Sequence, residues 1–480
     1  MANPDRLTGL DSSFLHLERD AAHMHVAGCS VFEGPAPDYD DLVSAVASRL
    51  HLVPRYRQRL AFVPFDQGRP VWVDDPHFNP AYHVRHTALP RPGGEAELKR
   101  LAGRVFSQAL DRSRPLWELW LVEGLSGNRF ALLSKTHHAL VDGISGVDLI
   151  SVLFDTSPEP HPVAPPDREW APRPLPAPMQ LLADALIERA TAPGEIVRGL
   201  RRALRGPRQV ADRLATTLVG VGAMTWAGFR AAPPSPFNVQ IGPHRRFTWV
   251  RGDLDDFKQI KNALGGTVND VVLAVVAGAL GRYMRLHGEP TDEVVLKAMV
   301  PVSVRADVER GALGNRVAAM WAPLPVGICD PVARLETISD AMREIKDSGQ
   351  AVGAQVLTTL TGFAPPTIMA QAARLQARQR LFNLVVTNVP GPQLPLFLLG
   401  RELEAVYPMV PLAENTALGI AIMSYNGQLN FGLVADYDAI GDLEVLADEL
   451  QSAIAELTAA ARPPKGAPPR SPRLRAVPTA

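Results

Sequence analysis

The residues best equipped for chemistry lie in one window, SKTHHALVDGISG, residues 134–146. Two adjacent imidazoles, His137 and His138, an aspartate, Asp142, and a flexible glycine, Gly143, share a turn between a β-like run, FALLSK, and an apolar helical run, VDLISVLF. Consecutive residues leaving a strand point to opposite sides, so His137 and His138 do not both face one pocket. Only one of them is expected to be the working base. A neutral imidazole takes a proton from a hydroxyl near neutral pH while its other ring nitrogen is held by a backbone group. That is acyl-transfer chemistry without a protein nucleophile. A metal site is disfavoured, because adjacent histidines converge poorly on one ion and the helical HExxH spacing is absent. A plain tight turn carrying two histidines accounts equally well for the window taken alone.

The elements that must hold this turn are those of a large globular protein. The 480 residues exceed one ordinary domain, with 46% hydrophobic and 21% charged side chains. Lys+Arg at 49 against Asp+Glu at 50 leaves a net charge of -1 and no global field for nucleic acid or an anionic membrane. Two distant cysteines, Cys29 and Cys329, make neither a zinc site nor a disulfide framework and are expected to be small buried hydrophobes. The opening MANPDRLTGLDSS lacks the apolar core of a signal peptide, and a cytosolic start is expected. The longest uncharged stretch of note, Leu214 to Phe229, is too short to span a bilayer.

Proline sets the boundaries. Ser157 to Pro178 is too proline-dense for helix or central strand, and 461–480 combines proline with five basic side chains and little to bury. The reading is an N-terminal half at 1–156, a Pro-rich linker and basic helical crossing at 157–245, a C-terminal half at 246–460 and a disordered basic tail at 461–480. Within the crossing, Arg198, Arg201, Arg202, Arg205 and Arg208 fall on one helix face, either a surface for lipid phosphates or a solvated connector. Strands are expected at Phe130–Lys135, Glu293–Val300, Leu384–Thr387 and Leu429–Val434, and helices at Asp41–Leu50, Glu95–Leu110, Arg334–Lys346 and Leu443–Ala460. No GxGxxG follows a strand, and neither GxxxxGK[ST] nor GxSxG occurs.

The His137–Asp142 spacing also fits the H-x4-D pattern of acyltransferases acting on phosphorylated glycerol, but their Pro-Glu-Gly companion motif is missing. HHALVDG instead fits the HHxxxDG signature of the coenzyme A-dependent acyltransferases related to chloramphenicol acetyltransferase and condensation domains. LTGLDSSFLHLE, HMHVAGCSVFEG, VPRYRQRL, RPLWELWLVEGL, GGTVNDVVLAVVAGAL, MVPVSVR, LGNRVA and TNVPGP follow in the family's order. Over roughly residues 7 to 458 the chain resembles the bacterial wax ester synthase/acyl-CoA:diacylglycerol acyltransferase family, of the mycobacterial triacylglycerol synthase type. Only the opening departs, with LTGLD where the family more often has Ser-Pro before the Asp.

The resemblance implies an α/β fold of two chloramphenicol-acetyltransferase-like halves with a tunnel at their interface. It implies acyl-CoA as co-substrate, diacylglycerol or a long-chain alcohol as acceptor, no metal or other cofactor, and work at a membrane or lipid-droplet surface on the cytoplasmic side. His138 is implied as general base, and Asp142 as a structural partner of Arg55, Arg57 or Arg59. Gly143 is implied as the close turn after the aspartate, and Asn269 as the residue that stabilises the oxyanion or orients the base. Thr267 and Asp270 make a capping box by spacing alone, and TNVPGP reads as a rigid turn. A non-catalytic lipid-binding paralogue, or an acyltransferase using a carrier-protein thioester or another hydroxylated acceptor, are the rival functions. Intact HHALVDG, PLW and ND motifs argue against the first.

Overall fold

The structure, a computed structural model, describes residues 5–19, 21–140, 149–161, 163–166, 168–188, 231–303, 317–347 and 380–462. The chain forms α1 (Gly9–Leu17), β1 (His25–Glu33), α2 (Tyr39–Arg49), a hairpin of β2 (Gln58–Ala61) and β3 (Val71–Asp74), the single turn α3 (Pro80–His83), β4 (Val84–Ala88), α4 (Glu95–Ser107), β5 (Trp117–Leu125), β6 (Arg129–His137) and α5 (Leu149–Leu153). Then follow β7 (Arg245–Asp253), α6 (Leu254–Leu264), α7 (Val268–Leu286), β8 (Val295–Ser303), β9 (Val317–Pro325), α8 (Pro331–Asp347), β10 (Leu384–Pro390), β11 (Phe397–Leu398), β12 (Arg401–Met409), β13 (Leu418–Tyr425), β14 (Gln428–Asp436) and α9 (Leu443–Ala461).

Among the described residues two six-stranded sheets form, ordered β11-β12-β1-β6-β5-β4 and β7-β14-β13-β10-β8-β9. The first is not built by the N-terminal half alone. β12 comes from late in the chain and pairs antiparallel with β1, from Ala27 opposite Met409 to Phe32 opposite Leu403. β1 in turn pairs antiparallel with β6, setting His25 opposite His137. β6 is apolar from Phe130 to Leu133 because both of its faces are covered there: Ala131 and Leu133 join the core shared with the second sheet, while Phe130 and Leu132 join the core under α2 and α5. The sheets touch where β12 meets β14. There a Cβ on Gly432 would lie 1.8 Å from the Pro408 carbonyl oxygen, so only glycine lets the backbones come this close.

In the second half, α7 is hydrophobic on nearly every side and is accordingly a buried central helix, not a half-exposed one. Arg334 of α8, 2% exposed, ties the layer together by donating to the Ala274 carbonyl at 3.0 Å and reaching Glu456 of α9 at 3.3 Å. No single described helix is long and apolar enough to cross a membrane.

The expected strands 130–135, 384–387 and 429–434 lie within β6, β10 and β14. Three expectations need correcting. The strand expected from Glu293 begins at Val295, because Glu293 sits at φ 59 in the preceding turn. The helix expected to reach Leu110 stops at Ser107, where the buried Lys135 ammonium takes the Val105 and Gln108 carbonyl oxygens at 3.2 and 2.9 Å. Cys29 is buried, but Cys329 is exposed just before α8.

Candidate active site

From His137 to Leu140 each backbone N–H of the histidine turn has a partner. The His137 N–H donates to the Leu116 carbonyl at 2.9 Å and the His138 N–H to the Met24 carbonyl at 2.8 Å. Ala139 donates to Nδ1 of His137 at 3.0 Å, and Leu140 to the His137 carbonyl at 2.8 Å. Leu116 belongs to the PLW motif, whose tryptophan, Trp117, is buried, donates to the Tyr56 carbonyl at 2.8 Å and stacks on His83 at 4.6 Å. PLW thus receives the end of β6 and fixes the turn against the core beneath α2.

The two imidazoles have different surroundings. His137 is 1% exposed and both its ring nitrogens are engaged. A backbone N–H can only donate, so Nδ1 is the acceptor and the proton lies on Nε2. That Nε2–H points at Glu18 Oε2, 3.1 Å away. Arg112 clasps the same carboxylate, with Nε at 3.0 Å, and its guanidinium also donates to the Leu15 carbonyl at 3.3 Å. Burial by itself pushes the Glu18 carboxyl up, but the hydrogen bonds from His137 and Arg112 and the Arg112 charge outweigh it and hold it at about 2. Glu18 is therefore ionised wherever the protein is folded and active, and it keeps His137 in one tautomer.

His138 is half-buried, its ring stacked on Phe14 with centroids 4.1 Å apart and planes at 18°. Phe14 and Glu18 both come from the opening segment. Thr8 caps α1, accepting from the Asp11 N–H at 3.1 Å and donating to its carboxylate at 2.7 Å. Ten residues later the helix ends on Glu18, whose N–H returns to the Phe14 carbonyl. One short helix therefore touches both histidines.

Around this pair the burial is polar as well as apolar. His23 Nδ1 lies 3.8 Å from Glu18, and His25 donates from Nε2 to the Phe106 carbonyl oxygen, 2.9 Å away. Burial depresses both histidines, His25 strongly, so they stay neutral. Lys135 is wholly buried and pairs with Glu118 at 3.1 Å; burial lowers its ammonium below the ordinary lysine range.

Asp142 and Gly143 lie outside the described residues, as do Arg198 to Arg208, Leu214 to Phe229 and most of the tail. Of the arginines expected to face Asp142, Arg55 stacks over Trp72 at 5.3 Å and Arg57 over Trp170 at 4.7 Å, while Arg59 is on β2. All three are half-buried rather than lying along a solvated edge. Asn269 is the second residue of α7 and is half-buried. Its neighbour Asp270 makes the full capping box with Thr267, at 2.8 and 3.2 Å. TNVPGP is not a turn throughout: Thr387 to Pro390 finish β10 beside β13, and only Gly391 and Pro392 leave it. Gly391 is required there, since a Cβ would meet the Ser424 carbonyl oxygen at 2.2 Å.

Glu18, Arg112 and Phe14 were not legible as site residues, being 94 to 124 positions from the groups they hold. Among the described residues no group of three or more His, Cys, Asp or Glu is placed to hold a metal ion. What the arrangement offers chemically is one imidazole locked in place and a second presented beside it.

Comparison with known proteins places this arrangement. The chain matches the wax ester synthase/diacylglycerol acyltransferase catalytic domain over residues 7–272 and the WS/DGAT C-terminal domain over residues 313–458. It is 34% identical over 468 residues to tgs1 of Mycobacterium tuberculosis, which bears the name of a diacylglycerol O-acyltransferase, with 95% of this chain and 96% of that one covered. Among solved structures, the wax ester synthase/diacylglycerol acyltransferase from Marinobacter aquaeolei VT8 aligns with a TM-score of 0.65 at 30% identity, covering 95% of this chain and 99% of that one. The starter condensation domain of rhizomide synthetase and a trichothecene 15-O-acetyltransferase from Fusarium sporotrichioides, each 14% identical with a TM-score of 0.57, share the fold. With both of its domains matched in order and the histidine turn held at their shared sheet, this chain belongs to the wax ester synthase/diacylglycerol acyltransferase family.

Proposed function

We propose that the protein is an acyl-CoA-dependent O-acyltransferase that moves a long-chain acyl group to the hydroxyl of diacylglycerol, with fatty alcohols as further acceptors and His138 as the general base. The observation that carries the assignment of the base is the inequality of the two imidazoles. His137 has a backbone N–H on one nitrogen and a carboxylate on the other, so it cannot take a substrate proton without breaking its own support.

In this mechanism His138 takes the acceptor hydroxyl proton as the oxygen attacks the thioester carbonyl. The tetrahedral intermediate carries one negative oxygen, for which the Asn269 amide is the candidate donor. Collapse breaks the carbon–sulfur bond, the imidazolium returns its proton to the CoA sulfur, and ester and free thiol leave. The thioester is already activated and nothing changes oxidation state, so the scheme calls on no metal or redox group. Asp142, paired with one of Arg55, Arg57 and Arg59, and Gly143 would keep the turn in shape, and the contact between the two sheets would border a tunnel that brings thioester and alcohol together.

A diacylglycerol acceptor is insoluble in water, so the enzyme is proposed to work at a membrane or droplet surface on the cytoplasmic side. An exposed apolar cluster supports this. Phe65 is 82% and Phe62 50% exposed at the tip of the β2–β3 hairpin. A Cβ on Gly68 would touch Ala185, so this tip adjoins the helical stretch at 178–188, which exposes Ile187 and Leu186.

The test is purified protein with palmitoyl-CoA and either diolein or hexadecanol, following thiol release and ester together. His138→Ala should lower ester formation by at least roughly 10²-fold and His137→Ala by less. Equal losses would sink the assignment of the base, and no ester with either acceptor would sink the activity.

A further inference from the structure

We propose that α1 is the positioning element of the histidine pair, with Glu18, anchored by Arg112, acting through His137 to set where the His138 ring stands. The proposal rests on the reading of His138 as base.

Phe14 and Glu18 are four residues apart, hence neighbours on one face at the end of the helix. Phe14 covers one face of the His138 ring at 4.1 Å, and Glu18 accepts from His137 at 3.1 Å. The Ala139 N–H donates to the other His137 nitrogen, so a torque on the His137 ring is a torque on the backbone that carries His138. Arg112 completes the linkage by binding both the Glu18 carboxylate and the carbonyl of Leu15 in the same helix. If Glu18 is lost, Nε2–H of a 1% exposed ring has no acceptor, and the ring must rotate or change tautomer, either of which frees the Ala139 N–H. Glu18 touches no reacting atom in this scheme; it is a positioning residue.

The experiment uses the full chain with palmitoyl-CoA and dispersed diolein, rates being normalised to folded protein by circular dichroism. Glu18→Ala should lower kcat by at least about tenfold, as misplacement of a base by a fraction of an ångström does, and leave KM for acyl-CoA within about twofold. Glu18→Gln, whose amide oxygen still accepts from Nε2–H, should recover most of the rate. Glu18→Ala combined with His137→Ala should be no worse than the more damaged single variant by more than about twofold, because the two act in series. Glu449→Ala, which removes the partner of Arg282 far from the turn, should lower Tm without changing kcat. Should Glu18→Ala not fold, Glu18→Leu, apolar and without any acceptor atom, takes its place. An unchanged kcat, losses that multiply in the double variant, or a Gln variant no better than Ala would overturn the proposal. Full activity in His138→Ala would instead overturn the reading on which it rests.

Discussion

Replacing Glu18 by Gln tests the same clasp through stability, where the sign and size follow from the site. A carboxyl brought from 4.5 to about 2 binds its proton less readily folded than unfolded. At ~1.4 kcal/mol per pH unit that is worth about 3 kcal/mol to the folded state. Because the folded value is the depressed one, the contribution is complete above about pH 4.5 and disappears as pH falls toward about 2. The carboxylate is 9% exposed, so solvent screening takes little from it. Urea unfolding followed by tryptophan fluorescence should therefore show parent and Glu18→Gln separated by about 2 to 3 kcal/mol at pH 7 and pH 5 alike. The separation should shrink by about 1 kcal/mol on reaching pH 3.5. A gap under about 0.5 kcal/mol at pH 7, or one that does not narrow between pH 5 and pH 3.5, would mean that the clasp carries no such linkage.

His25 is buried neutral, so protons bind the unfolded chain first as pH falls below 6.5, and stability should already decline there. His25→Gln should flatten that decline between pH 6.5 and 5 in the same urea experiment, and an unchanged slope would clear His25 of the effect. Gly432→Ala forces a Cβ against the Pro408 carbonyl oxygen and should cost about 2 kcal/mol or more, while Gly441→Ala, with nothing within 4 Å, should cost far less. Equal midpoints for the two would show that the sheets are not in close contact. Phe62→Ser with Phe65→Ser should lower flotation with phosphatidylcholine–diolein vesicles at least about tenfold, each ring being worth about 2 kcal/mol when it leaves water, and should spare turnover of a soluble short-chain acceptor. Unaltered flotation would move the lipid contact elsewhere on the surface.

What could be read from the sequence was whatever is local. Strand and helix periods placed β6, β10, β14 and α9 because their side chains are sorted by a burial pattern that repeats every two or three to four residues. The Thr267–Asp270 capping box was legible for the same reason, its members being three residues apart. What was not legible depends on chain segments meeting from afar. Nothing in RELEAVYPM announces that β12 will complete the sheet of the opposite half, since its partner β1 lies more than 360 residues earlier. Glu18 and Arg112 look like ordinary charged residues until the fold brings them to His137. TNVPGP misled by composition: its proline and glycine signal a turn, yet parallel pairing with β13 holds its first four residues in a strand.

The exchange of β12 also shows how the placement of the histidine turn depends on the far half of the chain. His137 and His138 end β6, whose neighbour β1 fixes the turn through the Met24 carbonyl at the strand's entrance. Without β12 the other edge of β1 would present unpaired backbone groups, and Cys29 and Val31 would lose the cover of Tyr407 and Ala405. Tyr407 is itself fixed from the second sheet, stacked on Trp249 at 4.5 Å with Arg251 bonded to its hydroxyl. The position of the histidine turn is thus referred through β1 and β12 to the sheet of the opposite half, and Gly432 marks where that reference is tightest. The sheet that carries the histidine turn is thus completed only with strands from both halves of the chain.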